Sequence, residues 1–254
     1  MALLSDKVAI VTGSTKGIGL SIARIFSKNG ANVVVTSRSL DMAKNIVDDL
    51  SSYGNDSMAL KTDVSKTDSV HNLVDTVIEH YDRIDILINN AGYPFNKEYW
   101  NSSFEKLKID DYQRVLDVDL LGSIRCCMQV IPIMTKQKTG NIVNISSTPA
   151  IASYDKGIPY TIAKSGLLGL TKHLALEYGK FNIRVNSLAL GNIRTSSTFD
   201  QIDKTEQEKL GNESSLRRWG KPDEVAKTCL MLVSDNFSFV TGQTIIVDGG
   251  TVMF

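Results

Sequence analysis

The chain has 254 residues, 28 Lys plus Arg set against 28 Asp plus Glu, 42% apolar residues and 7% aromatics, the composition of an ordinary soluble globular protein. A formal charge of zero argues against a nucleic-acid binder, because phosphate-tracking proteins concentrate positive charge. No apolar run reaches the ~18 residues of a membrane helix, and MALLSDKVAIVTG lacks the layout of a signal peptide, so no membrane partner and a cytoplasmic location are expected.

Short β-branched runs recur along the chain: KVAIVT from Lys7, NVVVT from Asn32, MALKTDV from Met58, IDILIN from Ile84, NIVNIS from Asn141, IRVNSLAL from Ile183 and TIIVD from Thr244. Runs apolar on both faces read as buried parallel strands, and most are separated by segments long enough for a helix. Ile18, Ile22, Ile25 and Phe26 form one helical stripe, and Val70, Leu73, Val74, Val77 and Ile78 form another. This is βαβ repeated along the chain: an α/β, Rossmann-type, doubly wound parallel sheet of about seven strands with helices on both faces. No linker-like stretch interrupts it, so one domain over residues 1–254 is expected. Residues 93–108 and 192–216 are polar and weakly periodic. Both follow strand ends, where ligands of open α/β sheets bind, and both are candidate substrate loops.

The first strand runs into Thr12-Gly13-Ser14-Thr15-Lys16-Gly17-Ile18-Gly19, and a helix follows. Glycines there let the backbone approach a pyrophosphate, and the helix N-terminus presents unpaired amides to it. At the end of the second strand a carboxylate would accept the ribose 2′-hydroxyl of NAD. Ser37 stands at that place and Arg38, a fork suited to phosphate, follows. With Lys16, the absence of an acid and the presence of two cations favour NADP(H) over NAD(H).

Tyr160 and Lys164 lie one helical turn apart on one face. A phenol is a poor base near neutrality, and a neighbouring ammonium favours its phenolate form. Ser147 directly follows NIVNIS at the end of that strand, where a hydroxyl can hold a substrate oxygen. Strand alternation turns Ser146 away. The cysteines are three in number, with Cys126 and Cys127 adjacent, and read as buried packing residues without a disulfide framework. His71, His80 and His173 have no metal-ligand spacing, and no metal is assigned.

TGxxxGIG at the first turn, Asn89-Asn90-Ala91-Gly92 after the fourth strand and Tyr160-Thr161-Ile162-Ala163-Lys164, in that order, resemble the short-chain dehydrogenase/reductase family over nearly the whole chain. The resemblance implies hydride transfer between nicotinamide and a carbonyl or secondary alcohol, with Ser147, Tyr160 and Lys164 catalytic. It also implies that Asn90, Ala91 and Gly92 wall the cofactor cleft, that Asp63 and Val64 contact adenine, and that Gly191, Ile193 and Thr195 reach the nicotinamide. Two positions depart from the family. Asp119 stands where the family has a catalytic asparagine, and Leu190-Gly191 replaces Pro-Gly.

Among family members the pattern looks most like the 3-oxoacyl-[acyl-carrier-protein] reductases, with sugar or polyol dehydrogenases as the runner-up. A nucleotide sensor that has lost catalysis is a third reading. Tyr93, Phe95, Tyr99, Trp100 and Phe104 are candidates to line the pocket or an interface. An acidic carrier protein would need a basic patch, for which Arg125, Lys136 and Lys138, or Arg217 and Arg218, are available. By analogy with the family a homotetramer is expected, with Leu167, Leu168, Leu170 and Val252-Met253-Phe254 as contact surfaces.

Overall fold

Each short apolar run becomes one strand of a parallel sheet, and the alternation of its side chains feeds two cores at once. The structure, a computed structural model, describes residues 2–152 and 154–253. The strands are β1 (Val8–Val11), β2 (Asn32–Ser37), β3 (Met58–Lys61), β4 (Ile86–Asn89), β5 (Gly140–Ser147), β6 (Ile183–Leu190) and β7 (Thr244–Val247). They form a seven-stranded sheet in the order β3-β2-β1-β4-β5-β6-β7, parallel throughout.

The helices are α1 (Gly17–Lys28), α2 (Leu40–Leu50), α3 (Thr67–Tyr81), α4 (Lys97–Asn101), α5 (Ile109–Asp119), α6 (Leu121–Gln137), α7 (Ile158–Tyr178), α8 (Lys204–Asn212) and α9 (Pro222–Val233). On one face Ala9, Val11, Val33, Val35, Ile86 and Ile88 pack with residues of α1 and α9, among them Ile22, Phe26, Val225 and Leu232. On the other, Val8, Ile10, Val34 and Leu87 meet α3, α6 and α7 through Val70, Val77, Val130, Met134 and Leu174. Burying each such side chain contributes about 1.5–3 kcal/mol, and the strict alternation makes the strand register costly to slip. The Rossmann-type, doubly wound sheet read from the sequence is the one observed. Of the two helical stripes, Ile18, Ile25 and Ile78 are only partly buried, at the edges of the cores.

The chain winds outward from β1 to β3, then crosses back to β4 on the other side of β1. Sheets of this kind bind ligands at the carboxyl ends of the strands beside such a reversal.

Two expectations need correction. The polar segments 93–108 and 192–216 are not wholly irregular, since they contain α4 and α8. Both helices are solvated, so apolar periodicity misses them, and both begin at a side-chain cap: Asn96 accepts from the Tyr99 amide at 3.0 Å, and Asp203 from the Glu206 amide at 2.9 Å. Leu167, assigned to a subunit face, is fully buried, while Ile162 and Leu176 are the exposed apolar residues of α7. Met253 is exposed, and Phe254 lies outside the described residues.

The stretch Ile109–Gln137 is long and apolar enough to cross a membrane by length and composition. It nevertheless divides into α5 and α6 around Leu120, carries Asp110, Asp111, Arg114, Asp117, Asp119 and Arg125, and buries Cys126, Val130 and Met134 in the core. All three thiols are buried, which pushes Cys127 up to about 12 and leaves it inert at neutral pH. His71, His80 and His173 sit on helix surfaces beside Asp75, Asp56 and Glu177.

Candidate active site

The turn after β1 is knitted to its neighbours before any ligand is considered. Thr12 donates its hydroxyl to the Ile88 carbonyl and accepts from the amides of Asn90 and Ala91 at 2.9 and 3.0 Å. The Asn90 side chain donates back to the carbonyls of Thr12 and Gly13. Ser14 is fully buried, with its amide on the Thr36 carbonyl and its hydroxyl on the Val11 carbonyl, so it builds the turn and its side chain does not face the crevice. Thr36, which the sequence reading passed over, receives the Gly13 amide on its hydroxyl at 3.2 Å.

Gly13 and Gly17 take φ values of +64° and +55°, a region side chains rarely adopt. Gly19 is required for a different reason: a Cβ there would lie 2.5 Å from both Asn90 Nδ2 and the Gly13 carbonyl oxygen. Lys16 is the N-cap of α1, yet no side chain caps that terminus and its first turn holds no acid. The leading amides of α1 are therefore left for an anion. Gly19→Ala should cost about 1–3 kcal/mol and weaken binding of a dinucleotide, checked by thermal denaturation and fluorescence titration. An unchanged melting temperature and affinity would count against the cradle.

Beside this turn, Ser37 is half-buried and accepts from the Ser39 amide, while Lys16 and Arg38 are exposed and have no ion-pair partner among the described residues. Asp63 accepts from the amide and hydroxyl of Ser65. Burial pulls its carboxyl up, but those hydrogen bonds and the charges of Arg38 and Lys66 outweigh it, leaving Asp63 below its ordinary value. Val64 is buried against Gly122, where a Cβ would come within 2.8 Å of it.

The catalytic candidates converge where β5 meets α7 and the end of α5. Lys164 Nζ lies 3.2 Å from Asp119 Oδ2 and donates to the Ile145 carbonyl at 3.0 Å. It also sits over the Tyr160 ring, 5.4 Å from its centroid. Burial pulls the Lys164 ammonium down, but the neighbouring Asp119 and Tyr160 outweigh it and hold Lys164 above its ordinary value. Ser147, the last residue of β5, donates its hydroxyl to the Leu190 carbonyl at 3.2 Å. Ser146 points the other way and donates to the Lys164 carbonyl at 3.0 Å.

The aromatic residues split into groups. Trp100 lies against Phe95, Tyr154 and Tyr160 with ring centroids 5.8 to 5.9 Å apart. Gly157, at φ +65°, donates its amide to the Trp100 carbonyl, and a Cβ on it would strike the indole at 2.4 Å. Tyr93 and Tyr99 stack on each other, and Phe104 is exposed beside Tyr112. From the far side of the crevice, Gly191 passes so close to Asp248 that a Cβ would come within 2.5 Å of it, Ile193 is buried, and Thr195 packs over Gly17. A cavity of about 460 Å³ opens beside that contact, lined by residues that include Arg24, Arg194, Lys221 and Asp223. No local motif marks these contacts, which arise from segments distant in sequence.

A strand, a glycine cradle with an open helix N-terminus and a Tyr-Lys pair one turn apart on α7 define a dinucleotide-dependent oxidoreductase. The family described as enoyl-(acyl carrier protein) reductase matches residues 2–252. Glucose 1-dehydrogenase 2 of Bacillus subtilis (strain 168) is 36% identical over 253 residues, covering 99% of this chain and 96% of its own. A 3-oxoacyl-[acyl-carrier-protein] reductase of Synechocystis sp. is 35% identical over 256 residues, covering all of both chains. The solved structure of gox2181 superposes with a TM-score of 0.92 at 32% identity, covering 98% of this chain and 96% of that one. The chain belongs to the short-chain dehydrogenase/reductase family and is an NAD(P)-dependent oxidoreductase.

Proposed function

We propose that the chain is an NADP(H)-dependent carbonyl reductase, one domain throughout, whose favoured substrate is a 3-oxoacyl thioester. The observation that carries the reading is the buried line from Asp119 through Lys164 to Tyr160, set beside Ser147 at the end of β5. The bound nicotinamide supplies the hydride. Tyr160 gives its hydroxyl proton to the substrate's carbonyl oxygen, and the Ser147 hydroxyl holds that oxygen as its charge develops. Lys164 favours the phenolate left on Tyr160 and, by likeness to the family, binds the nicotinamide ribose. Asp119 is the fourth residue of the site.

The open α1 terminus and its glycines suit the pyrophosphate, with Gly191, Ile193 and Thr195 reaching the nicotinamide and Asn90, Ala91 and Gly92 walling the cleft. Lys16 and Arg38, exposed beside a serine in place of an acid, suit the 2′-phosphate of NADP(H).

An apolar wall of Phe95, Trp100 and Tyr154 leading to Tyr160 favours an acyl chain. For an acidic carrier protein, Lys136 and Lys138 remain exposed, whereas Arg125 and Arg218 are spent on Asp117 and Glu224. The second reading, a sugar, polyol or other alcohol dehydrogenase, is favoured by the likeness to glucose 1-dehydrogenase 2. NADPH oxidation with acetoacetyl thioesters, aldoses and simple ketones separates them: the thioesters should turn over with the highest kcat/KM. Faster aldose turnover would establish the second reading, and tight NADPH binding without turnover a sensor.

The exposed Ile162, Leu176 and Phe239 favour self-association to the expected homotetramer, read by light scattering. Buried free thiols suit the reducing cytoplasm.

A further inference from the structure

We propose that Asp119 is a positioning residue that clamps the Lys164 ammonium through its carboxylate and thereby raises the pH range over which the neighbouring tyrosine works as acid and base; the inference rests on the reading of Tyr160 as the proton donor. The carboxylate faces two donors at once. Its Oδ1 accepts from the Tyr93 amide at 2.5 Å, and its Oδ2 meets Lys164 Nζ at 3.2 Å. The side chains are 1% and 6% exposed, so water does little to screen them.

An asparagine in this place has one acceptor oxygen for two donors, and its amide nitrogen must turn towards one of them. Tyr93 is held by its main chain directly after Gly92, while Lys164 keeps a second acceptor in the Ile145 carbonyl. The asparagine oxygen therefore stays with Tyr93, and the ammonium is released. Aspartate instead satisfies both donors and neutralises the ammonium beside Tyr160. The Ile145 carbonyl and the phenolate itself still favour the charged form of the released ammonium, and a neutral Asp119–Lys164 pair favours that phenolate less than a free cation does, so the phenolate forms at higher pH with Asp119 than with asparagine.

The other titratable groups on the surrounding elements do not offset this. Asp117 of α5 is paired with Arg125 of α6. Tyr99 of α4 receives a hydrogen bond from Arg114. Tyr112 of α5 has a buried hydroxyl without a hydrogen-bond partner among the described residues. Tyr154, in the loop before α7, is raised by burial and by Glu213, Asp155 and Glu206. Asp119 and Tyr160 are the groups whose charge acts on Lys164.

The test is an ultraviolet titration of tyrosinate in the unsubstituted protein, taken as a difference from Tyr160→Phe so that one residue is read, and repeated in Asp119→Asn and Asp119→Ala. The midpoint should fall by about one pH unit or more in both variants. The acid limb of kcat/KM for NADP⁺-dependent oxidation of a 3-hydroxybutyryl thioester should move with it, and kcat should change more than KM. NADPH fluorescence titration confirms folding, and the alanine variant serves where the asparagine one does not fold. Midpoints that coincide with that of the unsubstituted protein, while Tyr160→Phe is inactive, overturn the inference. Substantial turnover by Tyr160→Phe would instead overturn the reading beneath it, so the two failures are distinct.

Discussion

Tyr160→Phe should lower carbonyl reduction by roughly 10²–10⁴-fold while leaving NADPH binding within reach of a fluorescence titration. The variant removes one oxygen and little else. Among the described residues the Tyr160 hydroxyl makes no hydrogen bond within the protein, and the ring contacts to Trp100 and Lys164 survive in phenylalanine. The fold should therefore tolerate it, and the loss should fall on kcat. On the proposed mechanism hydride arrival at the carbonyl carbon leaves an oxyanion, and Tyr160 would be its proton donor, beside the Lys164 cation that favours its conjugate base. Retention of most of the activity would move the acid elsewhere.

The second large effect concerns the choice of cofactor. Arg38→Asp should invert the preference, with kcat/KM for NADPH falling roughly 10²-fold and that for NADH rising, since a charge-assisted hydrogen bond contributes about 1.5–3 kcal/mol and each 1.4 kcal/mol is tenfold. Arg38 is suited to this measurement because it is exposed and holds no ion-pair partner among the described residues, so its removal breaks no internal bridge. The new carboxylate would repel a 2′-phosphate and accept from a free 2′-hydroxyl. Its nearness to Asp63, which feels the charge of Arg38, would temper the gain with NADH. Steady-state constants with both cofactors decide it, and unchanged values would remove Arg38 from the site.

Much of the fold was legible because it is written in local patterns. Five of the seven strands lie within the β-branched runs, and β2 overruns its own by a single residue at one end and β5 by a single residue at each end, since a strand buried on both faces has few other compositions open to it. The glycine turn after β1 was legible for a similar reason: Gly13 and Gly17 take a positive φ that side chains rarely adopt. The helices α4 and α8 escaped, because a solvated helix carries no apolar stripe, although Asn96 and Asp203 marked their starts. Leu167 was placed on a surface and lies in the core, because α7 is apolar around much of its circumference and periodicity cannot say which side faces the sheet.

Residue types and spacings along the chain thus determined the parallel sheet, the glycine turn after β1, the spacing of Tyr160 and Lys164 and the family. Tertiary structure alone decided that Asp119 of α5 reaches Lys164 of α7, that Trp100 rests on Gly157 and against Tyr160, and that the hydroxyl of Ser14 is spent inside the turn. Dihedral preferences and hydrophobic period act over a few residues and can be read in order. A buried ion pair or an aromatic contact depends on how separate helices pack, and its energy comes from a desolvated neighbour that the chain does not place nearby in sequence.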